Sequence, residues 1–172
     1  MRRLIPALAA AAIALPALAA PASVTVPILG PKGEAMGAAI LTAAPNGVLM
    51  RVEAKGLTPG WHGLHFHEKA DCSSADFKSA GGHMHDSAPV AHGLLNPDAT
   101  ETGDLPNLFA GADGVANAEV FSSFVSLSPE GRAPLLDVDG SALVIHASPD
   151  DHLTQPIGGA GARVACAVIK AP

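Results

Sequence analysis

Three of the chain's eight histidines fall within six residues, in the stretch WHGLHFHEKADC at positions 61–72. In an extended strand, alternate side chains point to the same face, so His65 and His67 share a face while Phe66 points away. Two imidazoles at this spacing can bind one metal ion if the rest of the chain supplies further ligands. The stretch therefore predicts a strand that contributes to a metal site.

Further candidate ligands follow in short motifs. GGHMHD contains His83 and His85, AHG contains His92, ETGDLPN contains Glu101 and Asp104, and VIHASPDD contains His146, Asp150 and Asp151. Sets of imidazoles suit copper or zinc, and a carboxylate beside histidines suits zinc. A lone histidine is more often a surface or core residue, so the clustering is what indicates a metal centre.

The elements that must position these residues read as short strands. Apolar runs, several of them alternating with period two, are separated by Gly, Pro, Asn and Asp. They cover residues 23–29, 38–43, 47–54, 63–67, 114–122, 142–147 and 163–169. This pattern predicts an all-β antiparallel sandwich or barrel. Residues 68–113 contain no convincing strand, and residues 148–161 form a second long segment without one. Both are predicted to be functional loops because they carry candidate ligands.

The first 22 residues have the order of a secretory signal peptide. Arg2 and Arg3 precede an apolar run and then small residues, and residues 23–172 would form the single mature domain. A membrane anchor is less favoured, because Pro6 and Pro16 interrupt a run that is short for a span of about 20 residues. We expect the mature protein not to associate with a membrane once the signal peptide has been removed.

Charge and cysteine content narrow the possible partners. The net charge is −6 and becomes −8 when the two arginines leave with the signal, which argues against a nucleic-acid partner. Cys72 and Cys166 are the only cysteines. In an oxidising compartment such a pair is predicted to form a disulfide.

Taken together, these motifs make the chain resemble the exported bacterial copper–zinc superoxide dismutases. The segments that carry the match run in family order from residue 56 to 169: GLTPGWHGLHFHE, AGGHMH, HG, GDLPN, IHASPDD and GGAGARVACAVI. The resemblance implies a Greek-key, Ig-like β-sandwich or barrel with two long loops. It also implies copper and zinc as cofactors, superoxide as substrate, a periplasmic location, and a monomer or homodimer.

The resemblance also assigns site residues by position. The implied copper ligands are His65, His67, His83 and His146; the implied zinc ligands are His83, His92 and Asp104, with Glu101 where the family has a fourth histidine. His83 would bridge the two metals and relay protons. Asp150 would connect a copper histidine to a zinc histidine, and Arg163 would bind the anionic substrate beside copper.

Glu101 leaves four readings open. Its carboxylate could replace the zinc histidine directly. It could mark a copper-only enzyme in which it orients His83 by a hydrogen bond. His85 could supply the missing nitrogen, or Glu101 could be a solvated loop residue. Of the remaining histidines, His62 is expected to be structural and His152 to be solvated.

Three classes of function compete. The first is a superoxide dismutase, with a copper-only variant as an alternative; the second is a periplasmic copper-binding or copper-buffering protein; the third is a purely structural sandwich. His83 together with Arg163 favours turnover, because sequestration needs neither. Lys69 and Lys78 are the few basic residues of the first loop, and residues 148–161 have none. We therefore predict slower and less salt-sensitive capture of superoxide than in relatives with lysine-bearing loops.

Overall fold

A computed structural model describes residues 22–171 of the chain. Within this range there are nine β-strands: β1 (Ser23–Leu29), β2 (Ala35–Ala44), β3 (Gly47–Ala54), β4 (Gly60–His62), β5 (Leu64–His67), β6 (Leu108–Ala110), β7 (Ala116–Ser122), β8 (Ser141–His146) and β9 (Arg163–Ile169). A single 3₁₀ turn covers Lys78–Ala80. All seven strands predicted from the sequence are present with small shifts at their ends.

The strands form an antiparallel sheet that curls on itself. Its order is β5-β8-β9-β1-β2-β3-β7, and β4 pairs separately with β6. The tight turn at residues 111–115 joins β6 to β7, and β4 runs into β5 after Gly63, so the two sheets together close the ring of strands. The prediction of an all-β Greek-key barrel is confirmed.

Two details differ from the sequence prediction. The expectation of no strand in residues 68–113 was wrong at Leu108–Ala110, which pairs with β4. A three-residue strand is too short to show a period-two pattern, so it leaves no signal in the sequence. The predicted strand at 63–67 is also part of a longer, broken strand, because Gly63 separates β4 from β5.

The core lies inside the barrel, and β8 is buried on both of its faces. Leu143 and Ile145 point into the main core, while Ala142 and Val144 pack under the first long loop. The predicted disulfide between Cys72 and Cys166 is present and anchors this loop to β9. The barrel wall therefore carries the loops on its outer side, next to β5 and β8.

No helix within residues 22–171 is long and apolar enough to cross a membrane. The predicted signal peptide falls, up to residue 21, outside the described residues. The predicted domain boundary after Ala22 therefore stays a prediction.

Candidate metal centre

Two neighbouring strands and one loop bring the predicted ligands together. His65 and His67 lie on β5, which pairs with β8, and His146 is the last residue of β8. Isolated bridges then attach the first loop to β5, pairing His67 with His83 and His65 with Asp104. Side chains that are distant in sequence are thus fixed by backbone hydrogen bonding at one end of the barrel.

Four imidazoles converge in what we call the imidazole cluster. Its members are His65, His67, His83 and His146, all buried, and one ligand atom from each lies within 4.8 Å of the others. One ring nitrogen of each is buried without a hydrogen-bond partner: Nδ1 of His65 and Nε2 of the other three. Buried polar atoms are normally paired, so four unpartnered nitrogens in one place indicate a binding site for a metal ion.

The second nitrogen of each strand histidine is held by a hydrogen bond. His65 Nε2 lies 2.8 Å from Asp150 Oδ2, His67 Nδ1 lies 3.1 Å from the Gly81 carbonyl, and His146 Nδ1 lies 3.2 Å from the Gly161 carbonyl. Because carboxylate and carbonyl oxygens only accept, these nitrogens carry the protons and the orphaned nitrogens carry lone pairs. These three orphaned nitrogens, together with Nε2 of His83, fit a copper ion.

A second group, the carboxylate cluster, adjoins the first and shares His83 with it. It contains His83, His92, Glu101 and Asp104. Glu101 Oε2 lies 2.7 Å from Nδ1 of both histidines, and Asp104 Oδ1 lies 3.2 Å from His83 Nδ1 and 3.1 Å from His92 Nδ1. A ligand atom of His65 also lies within 4.8 Å of those of His83, His92 and Asp104, but its ring already faces Asp150 and the imidazole cluster.

The position of Glu101 eliminates two of its four readings. Its side chain is only 4% exposed, so it is not a solvated loop residue. His85 does not supply the missing nitrogen, because its Nδ1 lies against the His83 carbonyl and Glu68, outside both clusters. A buried carboxylate thus lies between the two histidines of the carboxylate cluster.

The two clusters differ in their preference for protons. Burial lowers the pKa of His67 to about 2 and that of His146 to about 3, so these two imidazoles stay neutral and ready to bind metal. Burial also opposes charge on the shared His83, but hydrogen bonds to Asp104 and Glu101 raise its pKa. Burial also opposes charge on His92, but hydrogen bonds to Asp104, Asp150 and Glu101 raise its pKa to about 11. Protons therefore balance the carboxylates in the absence of metal, and a divalent zinc ion fits in their place.

Asp150 connects the two clusters. Its Oδ2 faces His65 Nε2 at 2.8 Å, its Oδ1 faces His92 Nε2 at 3.0 Å, and its side chain is fully buried. Despite its burial, hydrogen bonds from these two histidines lower the pKa of Asp150. Asn107 fixes the Asp150 backbone through two 2.8 Å hydrogen bonds, a role that sequence reasoning missed although Asn107 ends the GDLPN motif.

Arg163 lies beside the imidazole cluster. A register shift at the end of β8 pairs it with His146, and both line a cavity of about 450 Å³. Its Nη1 and Nη2 donate to the carbonyls of Phe77 and Gly81, each at 2.7 Å. These two acceptors belong to the loop held by the disulfide, and backbone carbonyls leave no signal in the sequence.

The histidines outside the clusters have separate environments. His62 is buried, with Nδ1 2.6 Å from the His146 carbonyl and Nε2 2.7 Å from the Thr58 carbonyl, as suits a structural residue. His152 was expected to be solvated, but its side chain is 19% exposed and contacts Asp150. That expectation was wrong.

A β-barrel with two adjoining histidine clusters that share one imidazole defines a protein with a paired metal centre. Residues 35–169 match the family model described as copper/zinc superoxide dismutase (SODC). The chain belongs to this family, whose name implies both copper and zinc.

Individual relatives support the same family assignment. The chain is 62% identical over 149 residues to the Cu-Zn superoxide dismutase of Caulobacter vibrioides, covering 86% of each chain. The crystal structure of a superoxide dismutase-like protein from Bacillus subtilis is similar with a TM-score of 0.78 and 35% identity, covering 84% of this chain and 97% of that one. The Cu/Zn superoxide dismutase from Brucella abortus gives a TM-score of 0.69 and 32% identity, covering 86% and 99%.

Proposed function

We propose that the protein is a superoxide dismutase that uses copper held by His65, His67, His83 and His146. The reaction converts two superoxide anions and two protons into oxygen and hydrogen peroxide. The observation that carries the proposal is the set of four buried, unpartnered imidazole nitrogens beside a cavity lined by Arg163. The family membership and the 62% identical relative named for this activity support the same conclusion.

The reaction needs a redox centre, an anion site and a proton carrier. Copper, when bound, supplies one-electron chemistry. Arg163 supplies the anion site, because its guanidinium is fixed at the wall of the cavity that reaches His146. The fixed orientation of the guanidinium matters, because the anion must be held close to the imidazole cluster without displacing the histidines from the copper.

His83 is the proposed proton carrier. Its Nδ1 is occupied by Glu101 and Asp104, while its Nε2 faces the imidazole cluster without a partner. A proton held on Nε2 would therefore stand next to the reacting oxygen atoms and could be passed to the peroxide product. In the absence of zinc, the hydrogen bonds on Nδ1 orient the ring.

We propose that zinc occupies the carboxylate cluster, with Glu101 as its fourth ligand beside His83, His92 and Asp104. Two carboxylates and two imidazoles at 2.7–3.2 Å form a compact set of nitrogen and oxygen donors of the kind zinc accepts. The alternative is a copper-only enzyme, favoured by the 2.7 Å hydrogen-bond distance between Glu101 and His83. In that case Glu101 alone would orient His83.

We also propose that the protein is exported to the periplasm. The proposal is supported by the order of charged, apolar and small residues in positions 1–22 and by the disulfide, which an oxidising compartment favours. Cell fractionation followed by mass spectrometry of the amino terminus tests it. Intact protein recovered only from the cytoplasm would contradict it.

The function is tested on protein loaded with copper, with and without zinc. Superoxide consumption is measured by pulse radiolysis, and metal content by elemental analysis. Arg163→Ala should lower kcat/KM about tenfold with unchanged copper content, because it removes the guanidinium that binds the anion and leaves the four copper histidines in place. Arg51→Ala, an exposed position on β3, is the matched control. Bound copper without activity in either protein would favour copper buffering instead.

A further inference from the structure

The Asp150 carboxylate is contacted by three histidines, of which only two belong to the metal clusters. The third is His152, whose backbone N–H donates to Oδ1 at 2.6 Å and whose Nδ1 lies 3.3 Å from Oδ2. The same two oxygens face His92 and His65, respectively. His152 thus contacts both oxygens of the group that connects the clusters.

The ring of His152 is oriented toward Asp150. Nε2 lies 3.3 Å from the Nδ2 of Asn107, an amide nitrogen that only donates, so Nε2 accepts and the proton is assigned to Nδ1. Nδ1 is buried, and among residues 22–171 it makes no hydrogen bond of good geometry. Asp150 Oδ2 is the acceptor it faces, at a distance slightly longer than a normal hydrogen bond.

The backbone at His152 is also specialised. Its φ is +62°, in the left-handed region that few residues other than glycine adopt. Such conformations persist where the surroundings determine them, and they often coincide with functional sites. Here the conformation directs the N–H and the ring of one residue to the same carboxylate. Gly158 packs so closely against Asp150 that a side chain there would collide with Oδ1. The loop at residues 148–161 therefore encloses the carboxylate.

We propose that His152 is a positioning residue for both metal clusters. It holds the Asp150 carboxylate in the orientation in which one oxygen reaches His65 and the other reaches His92. The inference rests on the metal sites of the proposed function, but not on turnover. Loss of the His152 ring should therefore loosen both metals together, whereas a change confined to one cluster should loosen mainly one.

Two substitutions separate the ring from the backbone. His152→Gly removes the imidazole and tolerates the left-handed conformation, so any effect reports the ring. His152→Asn also tolerates this conformation and offers a side-chain N–H in place of Nδ1. Asp151→Asn is the control for general loosening of the loop, because the Asp151 carboxylate accepts from Leu153 and Thr154.

The measurement is the release of copper and zinc from fully loaded protein into EDTA at neutral pH. We expect His152→Gly to release both metals about tenfold faster than the wild type, at the lower end of the effect of residues that orient ligands. His152→Asn should remain within about threefold, and Asp151→Asn should match the wild type. The electron paramagnetic resonance spectrum of Cu(II) should change in the glycine variant and return in the asparagine variant.

Three results would overturn the proposal: release from His152→Gly within about twofold of the wild type, faster release of one metal only, or asparagine no better than glycine. Because no superoxide is used, a protein that holds both metals without dismutase activity would refute the proposed function and leave this inference standing.

Discussion

Glu101 Oε2 lies 2.7 Å from His83 Nδ1, the ring nitrogen opposite the one that faces the imidazole cluster. The same oxygen is 2.7 Å from His92 Nδ1. One carboxylate oxygen therefore contacts the shared imidazole and the second histidine of the carboxylate cluster. A substitution of Glu101 should therefore affect mainly the carboxylate cluster, whereas a substitution of a strand histidine should affect mainly the imidazole cluster.

Glu101→Gln should weaken zinc binding about 10- to 100-fold while copper affinity changes less than about threefold. The amide removes one negative charge from the carboxylate cluster but leaves all four nitrogens of the imidazole cluster in place. Competition titrations with a chromophoric chelator measure both affinities. Glu119→Gln, at an exposed position on β7, serves as the control. Equal loss of copper and zinc would contradict this separation.

Asp76→Asn should accelerate superoxide capture. Asp76 and Lys78 form an exposed ion pair at 3.1 Å, and both line the cavity of Arg163 and His146. The Asp76 carboxylate offsets the positive charge that would attract an anion, which agrees with the weak salt dependence predicted from the sequence.

We expect kcat/KM of Asp76→Asn to rise about two- to threefold at low ionic strength and to fall more steeply with added salt. Lys78→Gln should have the opposite effect, and Asp113→Asn, in the turn between β6 and β7, should have none. Pulse radiolysis across ionic strengths gives all four rates. A kcat/KM for Asp76→Asn at or below that of the wild type would show that the Asp76 carboxylate does not slow capture.

Acid should destabilise the metal-free protein. Burial holds the pKa of His67 near 2 and that of His146 near 3, below the value of about 6.5 in the unfolded chain. The unfolded chain therefore binds more protons, so this stability is complete above about pH 6.5 and is lost as the pH falls toward about 3. His92, with its pKa raised to about 11, acts in the opposite direction, and its contribution is lost as the pH rises from about 6.5 toward 11. His83, whose pKa is also raised, acts in the same direction as His92.

The urea midpoint of the metal-free protein should accordingly be lower at pH 5 than at pH 7, by on the order of 1 M. His146→Gln removes one of the buried neutral imidazoles and should show a smaller difference. A midpoint that rises on acidification would show that the imidazole cluster does not control this range.

Much of this molecule could be predicted from its sequence, for reasons that also explain the failures. The strand around His65 alternates, the strand that ends at His146 is a continuous apolar run, and the ligand motifs are local. β6 was missed because three residues carry no period. The packing of His152 against Asp150 and the carbonyl acceptors of Arg163 depend on loop conformation, which residue types do not encode. Burial of Glu101 was likewise invisible, because it depends on the bridge between His85 and Glu101.

Replacing both Cys72 and Cys166 with serine should lower the free energy of unfolding by on the order of 4 kcal/mol, because the bridge joins residues 94 apart. It should also lower kcat/KM, since the loop it anchors supplies the Phe77 and Gly81 carbonyls that hold Arg163. Denaturation and rate measurements test both effects. A reducing agent should reproduce them in the wild type and leave the double variant unchanged.

Three of the four histidines of the imidazole cluster stand on β5 and β8, inside the hydrogen-bonded ladder of the barrel. The carboxylate cluster draws all its members from the long loop between β5 and β6. Substitutions in that loop, other than at the shared His83, can therefore alter one cluster while the wall preserves the other. Over evolutionary time such a division would allow donor atoms in the loop to change while the strand histidines stay in place.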